Sequence, residues 1–169
     1  MPEQYVNLGI INPKNAQNMG SILRAAGCYG VDSVFYTGQR FGYAKKFTTD
    51  TQNRSQHIPL IGCDNLKEIR PKGASVVAVE LIEGAQPLPF FKHPDNAFYI
   101  FGPEDGSVKG DTLSWCDHVV YIPTKGCMNL AATVNVLLYD RMAKSESTEF
   151  GDQIIRQNRD TNNRARFNS

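Results

Sequence analysis

Four polar residues follow short apolar segments of the sequence, each in a loop or at a helix start that also contains glycine. Asn18 and Arg24 come after the first of these segments, and Glu104 and Asn129 come after two later ones. Amide, carboxylate and guanidinium groups can hold a bound molecule through directed hydrogen bonds, and a guanidinium fork matches the geometry of a phosphate. Each residue alone has a plainer interpretation as a helix cap, a turn residue or a surface charge. Together, the three loops indicate a pocket for a small ligand that is lined by backbone groups.

The sequence lacks the motifs of several other kinds of site. It contains no GxGxxG after the first apolar segment, no GxxxxGKS/T and no HExxH, the patterns of dinucleotide, P-loop and zinc-protease sites. No two of the four cysteines form a CxxC pair, so we expect no metal and reduced thiols in a cytosol. The three histidines lie far apart and match no ligand pattern, and we interpret each as an ordinary surface or core residue: His57, His93 and His118.

Strands and helices must bring these distant loops together. Short apolar segments alternate with segments of helical periodicity, and the apolar segments are hydrophobic at nearly every position. This alternation predicts an α/β fold with a parallel sheet covered by helices on both faces, in which ligands collect at the carboxyl ends of the strands. The predicted strands cover residues 5–10, 33–36, 74–81, 97–101 and 118–122, and the predicted helices cover residues 18–30, 64–69 and 128–144.

Length and composition are ordinary for a soluble globular domain. The chain has 169 residues, of which 41% are hydrophobic and 21% are charged. We place one domain at residues 1–144 and interpret residues 145–169 as a polar, partly basic tail that docks through Ile154 and Ile155. No apolar run is long enough to cross a membrane and no signal-peptide pattern is visible, so we expect a cytoplasmic protein.

Basic residues concentrate in two places, although the net charge is only +1. In residues 40–54, four basic residues are interleaved with aromatic residues and a single acid, a mixture that suits RNA with unstacked bases. The last 14 residues hold four arginines. A solvated loop or a frayed tail is the plainer interpretation of either segment. The residues that we predict to contact RNA are Arg40, Lys45, Lys46 and Arg54.

The three loops resemble the three motifs of the SPOUT superfamily of methyltransferases, in its SpoU/TrmH branch. The resemblance spans roughly residues 5–144, and the motifs stand in the family's order, each after a predicted strand. Two departures are visible: Gly106 lies one position early in the second motif, and Cys127 replaces a serine in a third loop that is shorter than in most members. The matching residues are Asn18, Gly20 and Arg24 in the first motif, Gly102 and Glu104 in the second, and Ile122, Pro123, Gly126 and Asn129 in the third.

This resemblance implies a particular fold, cofactor and substrate. Members of the branch fold as an α/β sheet whose C-terminal part forms a deep trefoil knot. They bind S-adenosyl-L-methionine in the knot and methylate a ribose 2′-hydroxyl of RNA as homodimers. The small single-domain members act on the tRNA anticodon loop, which favours tRNA over rRNA as the target. By position, the implied cofactor-binding residues are Val79, Gly102, Ile122, Cys127 and Met128, and the implied catalytic set is Asn18, Arg24, Glu104 and Asn129.

The proton acceptor and the activity itself each leave alternatives. We interpret Arg24 as a fork on the phosphate beside the ribose that also stabilises charge on the oxygen, because a guanidinium stays protonated. Glu104 is the alternative acceptor, through water. A non-catalytic relative that binds RNA or cofactor is a second hypothesis, since the thiol of Cys127 is a weaker donor than a hydroxyl. A base methyltransferase of the guanine-N-1 branch ranks third, because neither its Asp after the knot nor its separate C-terminal domain is clear in the sequence.

Overall fold

A parallel sheet of seven strands forms the centre of the computed structural model, which describes residues 4–45 and 58–168. The strands are β1 (Val6–Ile10), β2 (Ser33–Tyr36), β3 (Leu60–Gly62), β4 (Ser75–Val79), β5 (Gln86–Pro87), β6 (Ala97–Phe101) and β7 (His118–Tyr121). They lie in the order β3-β2-β1-β6-β4-β7-β5, and every neighbouring pair is parallel. The predicted parallel α/β fold is therefore confirmed.

Helices of very different length connect and flank these strands within the described residues. They are α1 (Ala16–Cys28), α2 (Arg40–Lys45), α3 (Gly110–Leu113), α4 (Leu130–Lys144) and α5 (Asp152–Asn158), with a 3-10 helix at Leu88–Phe90. None of the helices in this part of the chain is long and apolar enough to cross a membrane. Residues 145–169, predicted as a tail, include α5, in which Ile155 is exposed and Ile154 is only partly buried.

One face of the sheet is covered by the two long helices, α1 and α4, which also contact each other. The central strands β1 and β6 are buried at every position, because helices and loops cover both of their faces. The apolar stripe predicted for α4 is buried at its four N-terminal members, whereas Met142 stays partly exposed near the end of the helix. The four buried members are Leu130, Val134, Leu137 and Leu138.

The opposite face differs from the prediction, because the expected helix over residues 64–69 is a series of turns. Asn65 closes the first turn locally, since its side-chain oxygen accepts a hydrogen bond of 2.9 Å from the backbone N–H of Lys67. Pro71 follows at once, and a segment this short cannot nucleate a helix on its own. Leu66 from these turns and Trp115 after the short helix α3 pack on this face instead.

Gly9 lets the turn segment approach the second face closely. A Cβ atom at Gly9 would lie 2.8 Å from Cδ1 of Ile100, 3.0 Å from Cζ of Phe98 and 3.1 Å from Cδ1 of Leu66. We therefore expect Gly9→Ala to lower the free energy of unfolding by about 1–3 kcal/mol, as overpacking of a core does. Urea denaturation would measure it.

The control for Gly9 is Gly27→Ala. Gly27 lies in α1, where a Cβ atom would meet open space, so alanine there should stabilise the helix slightly. A Gly9→Ala variant as stable as the wild-type protein would show that this face packs more loosely than the structure indicates.

The register of the sheet brings the carboxyl ends of its central strands to one edge. The last residue of β6, Phe101, pairs with the last residue of β1, Ile10, and with the last residue of β4, Val79. Because parallel strands end at the same edge, the loops after β1, β4 and β6 meet there. The loop after β7 reaches the same edge, since Val120 pairs with Val79 one residue before β7 ends.

Candidate active site

Three of the predicted polar residues form one hydrogen-bonded chain across three loops. The Nδ2 group of Asn129 donates to Oδ1 of Asn18 over 3.1 Å, and Nδ2 of Asn18 donates to Oε1 of Glu104 over 3.2 Å. The first two residues are 111 positions apart, so the fold alone places them together. The structure thus assembles polar groups from all three motif loops at the edge where ligands are expected.

Asn129 is held in a single orientation by the helix that it caps. Its Oδ1 atom accepts from the backbone N–H groups of Ala131, over 2.9 Å, and Ala132, over 3.2 Å. These groups lack partners within α4, which is why asparagine is favoured at this position. With the oxygen committed to the helix, the NH₂ group of Asn129 points to Asn18. The capping role and the site role therefore use opposite ends of the same amide.

The start of α1 is capped by Asn15, which lies ahead of the predicted first residue of this helix. Oδ1 of Asn15 accepts from the backbone N–H groups of Gln17, over 2.8 Å, and Asn18, over 3.1 Å. The helix therefore begins at Ala16 rather than at the predicted Asn18. Because Asn15 supplies the cap, the side chain of Asn18 can turn to Glu104 and Asn129.

Glu104 is an anchored carboxylate. Its Oε1 and Oε2 atoms accept from the backbone N–H groups of Asn15 and Lys14, each over 3.1 Å, in addition to the amide of Asn18. Partial burial pushes the pKa of Glu104 upward, but hydrogen bonds, first from its own backbone N–H and then from Asn18, Lys14 and Asn15, outweigh it and leave the pKa below its usual value. A carboxylate with these donors and a lowered pKa is a weak proton acceptor and a strong structural link between loops.

All five residues that the family resemblance predicts to bind the cofactor line one cavity beside the hydrogen-bonded residues Asn18, Glu104 and Asn129. The cavity has a volume of about 290 Å³ and lies between the loops that follow β4, β6 and β7. Glu104 and Asn129 also line it, so the hydrogen-bonded chain forms part of its wall. The five residues are Val79, Gly102, Ile122, Cys127 and Met128.

Glu80 is a wall residue that sequence reasoning missed. Its Oε2 atom accepts from the backbone N–H of Val108 over 2.8 Å, and its Oε1 atom accepts from that of Leu81 over 2.9 Å. A Cβ atom at Gly102 would lie 3.0 Å from the nitrogen of Val108, so only glycine leaves room for this contact. The strand predicted at residues 74–81 included Glu80, whereas β4 ends at Val79 and leaves Glu80 in the loop that follows.

Arg24 does not join the hydrogen-bonded chain. It lies on the exposed side of α1 and makes no hydrogen bond or ion pair with any residue in the described part of the chain. None of the described residues therefore engages its guanidinium.

The predicted RNA-binding residues have different surroundings. Arg40 forms a two-pronged ion pair with Asp105, with Nη1 and Nη2 at 2.9 and 3.0 Å from its carboxylate oxygens. Lys45 is the last residue of α2, and Lys46 and Arg54 lie outside the described residues.

The described histidines have no ligand-binding arrangement. The side chain of His93 is only 5% exposed, with Nδ1 at 2.7 Å from the hydroxyl of Tyr99 and Nε2 at 2.9 Å from a carboxylate oxygen of Asp140. His118 stacks edge-on against Phe91. No group of histidine, cysteine and acidic residues among residues 4–45 and 58–168 could hold a metal ion.

The parallel sheet thus brings the loops of all three motifs to one edge, beside one cavity. The model of the SpoU rRNA methylase family matches residues 5–139. The chain therefore belongs to the SpoU rRNA methylase family, and the resemblance predicted from the three motifs is confirmed.

Individual relatives are distant in sequence and similar in fold. The 23S rRNA (guanosine-2′-O-)-methyltransferase RlmB of Acinetobacter baylyi is 24% identical over 82% of this chain and 59% of its own length. The AdoMet-bound rRNA methyltransferase of Sinorhizobium meliloti has a TM-score of 0.70 and 17% identity, over 84% of this chain and 57% of that chain. A structure that concerns 2-OH methylation of C/U34 on tRNA has a TM-score of 0.68 and 20% identity, over 85% of this chain and 92% of that chain. The chain thus spans about three fifths of the first two relatives.

Proposed function

We propose that the protein transfers a methyl group from S-adenosylmethionine to a ribose 2′-hydroxyl of RNA. The observation that carries this proposal is the hydrogen-bonded chain of Asn129, Asn18 and Glu104, one residue from each family motif, in the wall of the cavity. Membership of the SpoU rRNA methylase family supports the same reaction class.

The cavity residues suit a cofactor with apolar and polar parts. Val79, Ile122 and Met128 supply apolar surface, and Gly102 exposes backbone groups in the loop after β6. A volume of about 290 Å³ in an open cavity is at the lower end of ligand sites. S-adenosylmethionine bound there would supply an activated methyl group. Cys127 offers a thiol, a weaker hydrogen-bond donor than the serine of other members.

The polar residues divide into positioning and charge-stabilising groups. The hydrogen bonds among Asn18, Glu104 and Asn129 hold the loops after β1, β6 and β7 in one arrangement. This arrangement fixes the position of the bound cofactor relative to the ribose. Glu104 serves this positioning role better than the role of base, because its lone pairs are already engaged. Arg24 binds the phosphate beside the ribose and stabilises the charge that develops on the oxygen.

The C-terminal part of the domain is proposed to form the trefoil knot of the family. Strand β7 lies beyond β4 and β6 from β1, yet α4 packs on α1, the helix that follows β1. Residues 122–129 must therefore cross the ends of the central strands, beside the loops that follow β4 and β6. Such a crossing is one requirement of a knot.

A tRNA anticodon loop is the proposed target in preference to rRNA. The chain matches 92% of the length of the structure concerned with C/U34 on tRNA, but only 59% and 57% of the two rRNA enzymes. Lys45, Lys46 and Arg54 are proposed to contact this RNA. The protein would act in the cytoplasm.

A homodimer is also proposed for the working enzyme. Val136 and Tyr139 expose apolar surface on α4, with exposed fractions of 38% and 57%. Arg24 lies on the neighbouring helix α1, from which it could reach the site of the second protomer.

The decisive experiment has two readouts. Calorimetry should show that the protein binds S-adenosylmethionine and its demethylated product, and mass spectrometry of RNA nucleosides from a deletion strain should show one missing 2′-O-methylnucleoside. Whether the missing nucleoside belongs to tRNA or to rRNA identifies the target. Binding without any missing nucleoside would instead establish a non-catalytic relative, and no binding at millimolar concentration would end the proposal.

A further inference from the structure

Asp105, next to the anchored Glu104, ties the loop after β6 to two other loops. Its carboxylate lies 2.9 and 3.0 Å from the two terminal nitrogens of Arg40, and 3.4 Å from Nζ of Lys14. The hydrogen bonds from Arg40 hold the pKa of Asp105 well below its usual range. A two-pronged pair of this kind fixes direction as well as distance.

Arg40 also grips the loop after β1. Its Nη2 atom donates to the carbonyl oxygen of Asn12 over 2.6 Å, and its Nε atom is buried without a partner in the described part of the chain. Asn12 has a φ of +43°, a conformation that non-glycine residues rarely adopt. Its backbone N–H donates to Oγ1 of Thr37 over 3.1 Å. Both terminal nitrogens of Arg40 are therefore engaged within the protein.

We propose that Arg40 and Asp105 form a positioning clamp, which holds the loop of Gly102 and Glu104 in its cofactor-binding shape. The clamp joins the loops after β1, β2 and β6, whereas the Asn18–Glu104 bond alone joins only two of them. Arg40 is thus a positioning residue for the cofactor, a different role from the RNA contact predicted from sequence. This inference rests on the proposed cofactor site.

The pair of Arg70 and Asp117 provides a matched control. Its guanidinium and carboxylate are also 2.9 Å apart, and its side chains are 38% and 42% exposed, against 36% and 45% in the clamp. It lies at the opposite edge of the sheet, because Asp117 directly precedes β7 and binds the backbone N–H of Val76.

The test measures S-adenosylmethionine affinity by calorimetry for Arg40→Gln, Asp105→Asn and the double variant. Each single variant should weaken binding by about three- to tenfold, since each breaks the same charge-assisted pair. The double variant should bind about as weakly as Arg40→Gln alone, because Arg40→Gln already removes the ion pair with Asp105 and the exposed contact of Asp105 with Lys14 is weak. Arg70→Gln should leave the affinity unchanged, although its melting temperature should fall about as far as that of Arg40→Gln.

A conservative variant separates the clamp from an RNA contact. Arg40→Lys keeps the positive charge but not the fork, so it should weaken S-adenosylmethionine binding and leave binding of total bacterial tRNA unchanged. The inference is overturned if all clamp variants bind the cofactor normally, or if Arg40→Lys and Arg40→Gln weaken only tRNA binding. A wild-type protein that binds no S-adenosylmethionine would overturn the proposed function, and this inference with it.

Discussion

Replacing Arg24 with alanine is expected to reduce methyl transfer by about 100- to 1,000-fold, the usual cost of removing one donor that stabilises developing charge. The protein should stay folded. Arg24 makes no hydrogen bond or ion pair with the described residues, and the apolar face of α1 is supplied by Met19, Ile22 and Ala25. Alanine also favours a helix at least as strongly as arginine.

Two measurements separate an effect on the chemical step from an effect on cofactor binding. Single-turnover methylation of purified target RNA reports the chemical step, and calorimetry with S-adenosylmethionine should show unchanged affinity, because Arg24 does not line the cavity. Arg24→Lys should recover only part of the rate, since an ammonium group cannot form a two-pronged contact with phosphate. Near-wild-type turnover of Arg24→Ala would show that the phosphate role belongs to another residue.

Replacing Asn129 with aspartate is expected to reduce methyl transfer by about 100-fold, through misplacement of the reacting groups, without loss of stability. Aspartate is as good a helix cap as asparagine, so the bonds to Ala131 and Ala132 can persist. It cannot donate to Asn18. If the amide of Asn18 turns round to donate to the new carboxylate, it loses its bond to Glu104 instead, so the hydrogen-bonded chain breaks in either case.

Two alanine variants separate capping from positioning. Asn129→Ala loses the cap and the amide donor, so it should lose both activity and about 1 kcal/mol of stability. Asn15→Ala loses only the cap of α1, because its bond to Glu104 comes from the backbone, so it should lose similar stability with a far smaller loss of activity. Equal activity of the wild-type protein and Asn129→Asp would rule out the positioning role.

Sequence patterns predicted the elements with strong local signals. The strands at 33–36 and 97–101 match the structure residue for residue, and the end of α4 at Lys144 was also correct. Strands β3 and β5 went unrecognised because they have three and two residues, too few for periodicity to show. Short edge strands are defined by the neighbours with which they pair.

In the site, too, individual residues could be predicted from the sequence but their contacts could not. Asn18, Glu104 and Asn129 were identifiable because each follows an apolar strand or begins a helix. Their mutual hydrogen bonds were not, because they depend on the register of β1 against β6 and on the path of residues 122–129. Arg40 and Asp105, 65 positions apart, carry no pattern that marks them as partners, and only the folded loops bring them together.

The bond between Asn129 and Asn18 also sets when the protein can first work during its synthesis. The ribosome must add 111 residues after Asn18 before Asn129 exists, which takes roughly 6 to 22 seconds at typical bacterial to eukaryotic speeds. Throughout that time the emerging chain holds Arg24 and α1 but lacks one wall of the cavity. A truncated or stalled product therefore has no complete site, and the proposed activity is confined to chains whose translation has passed Asn129.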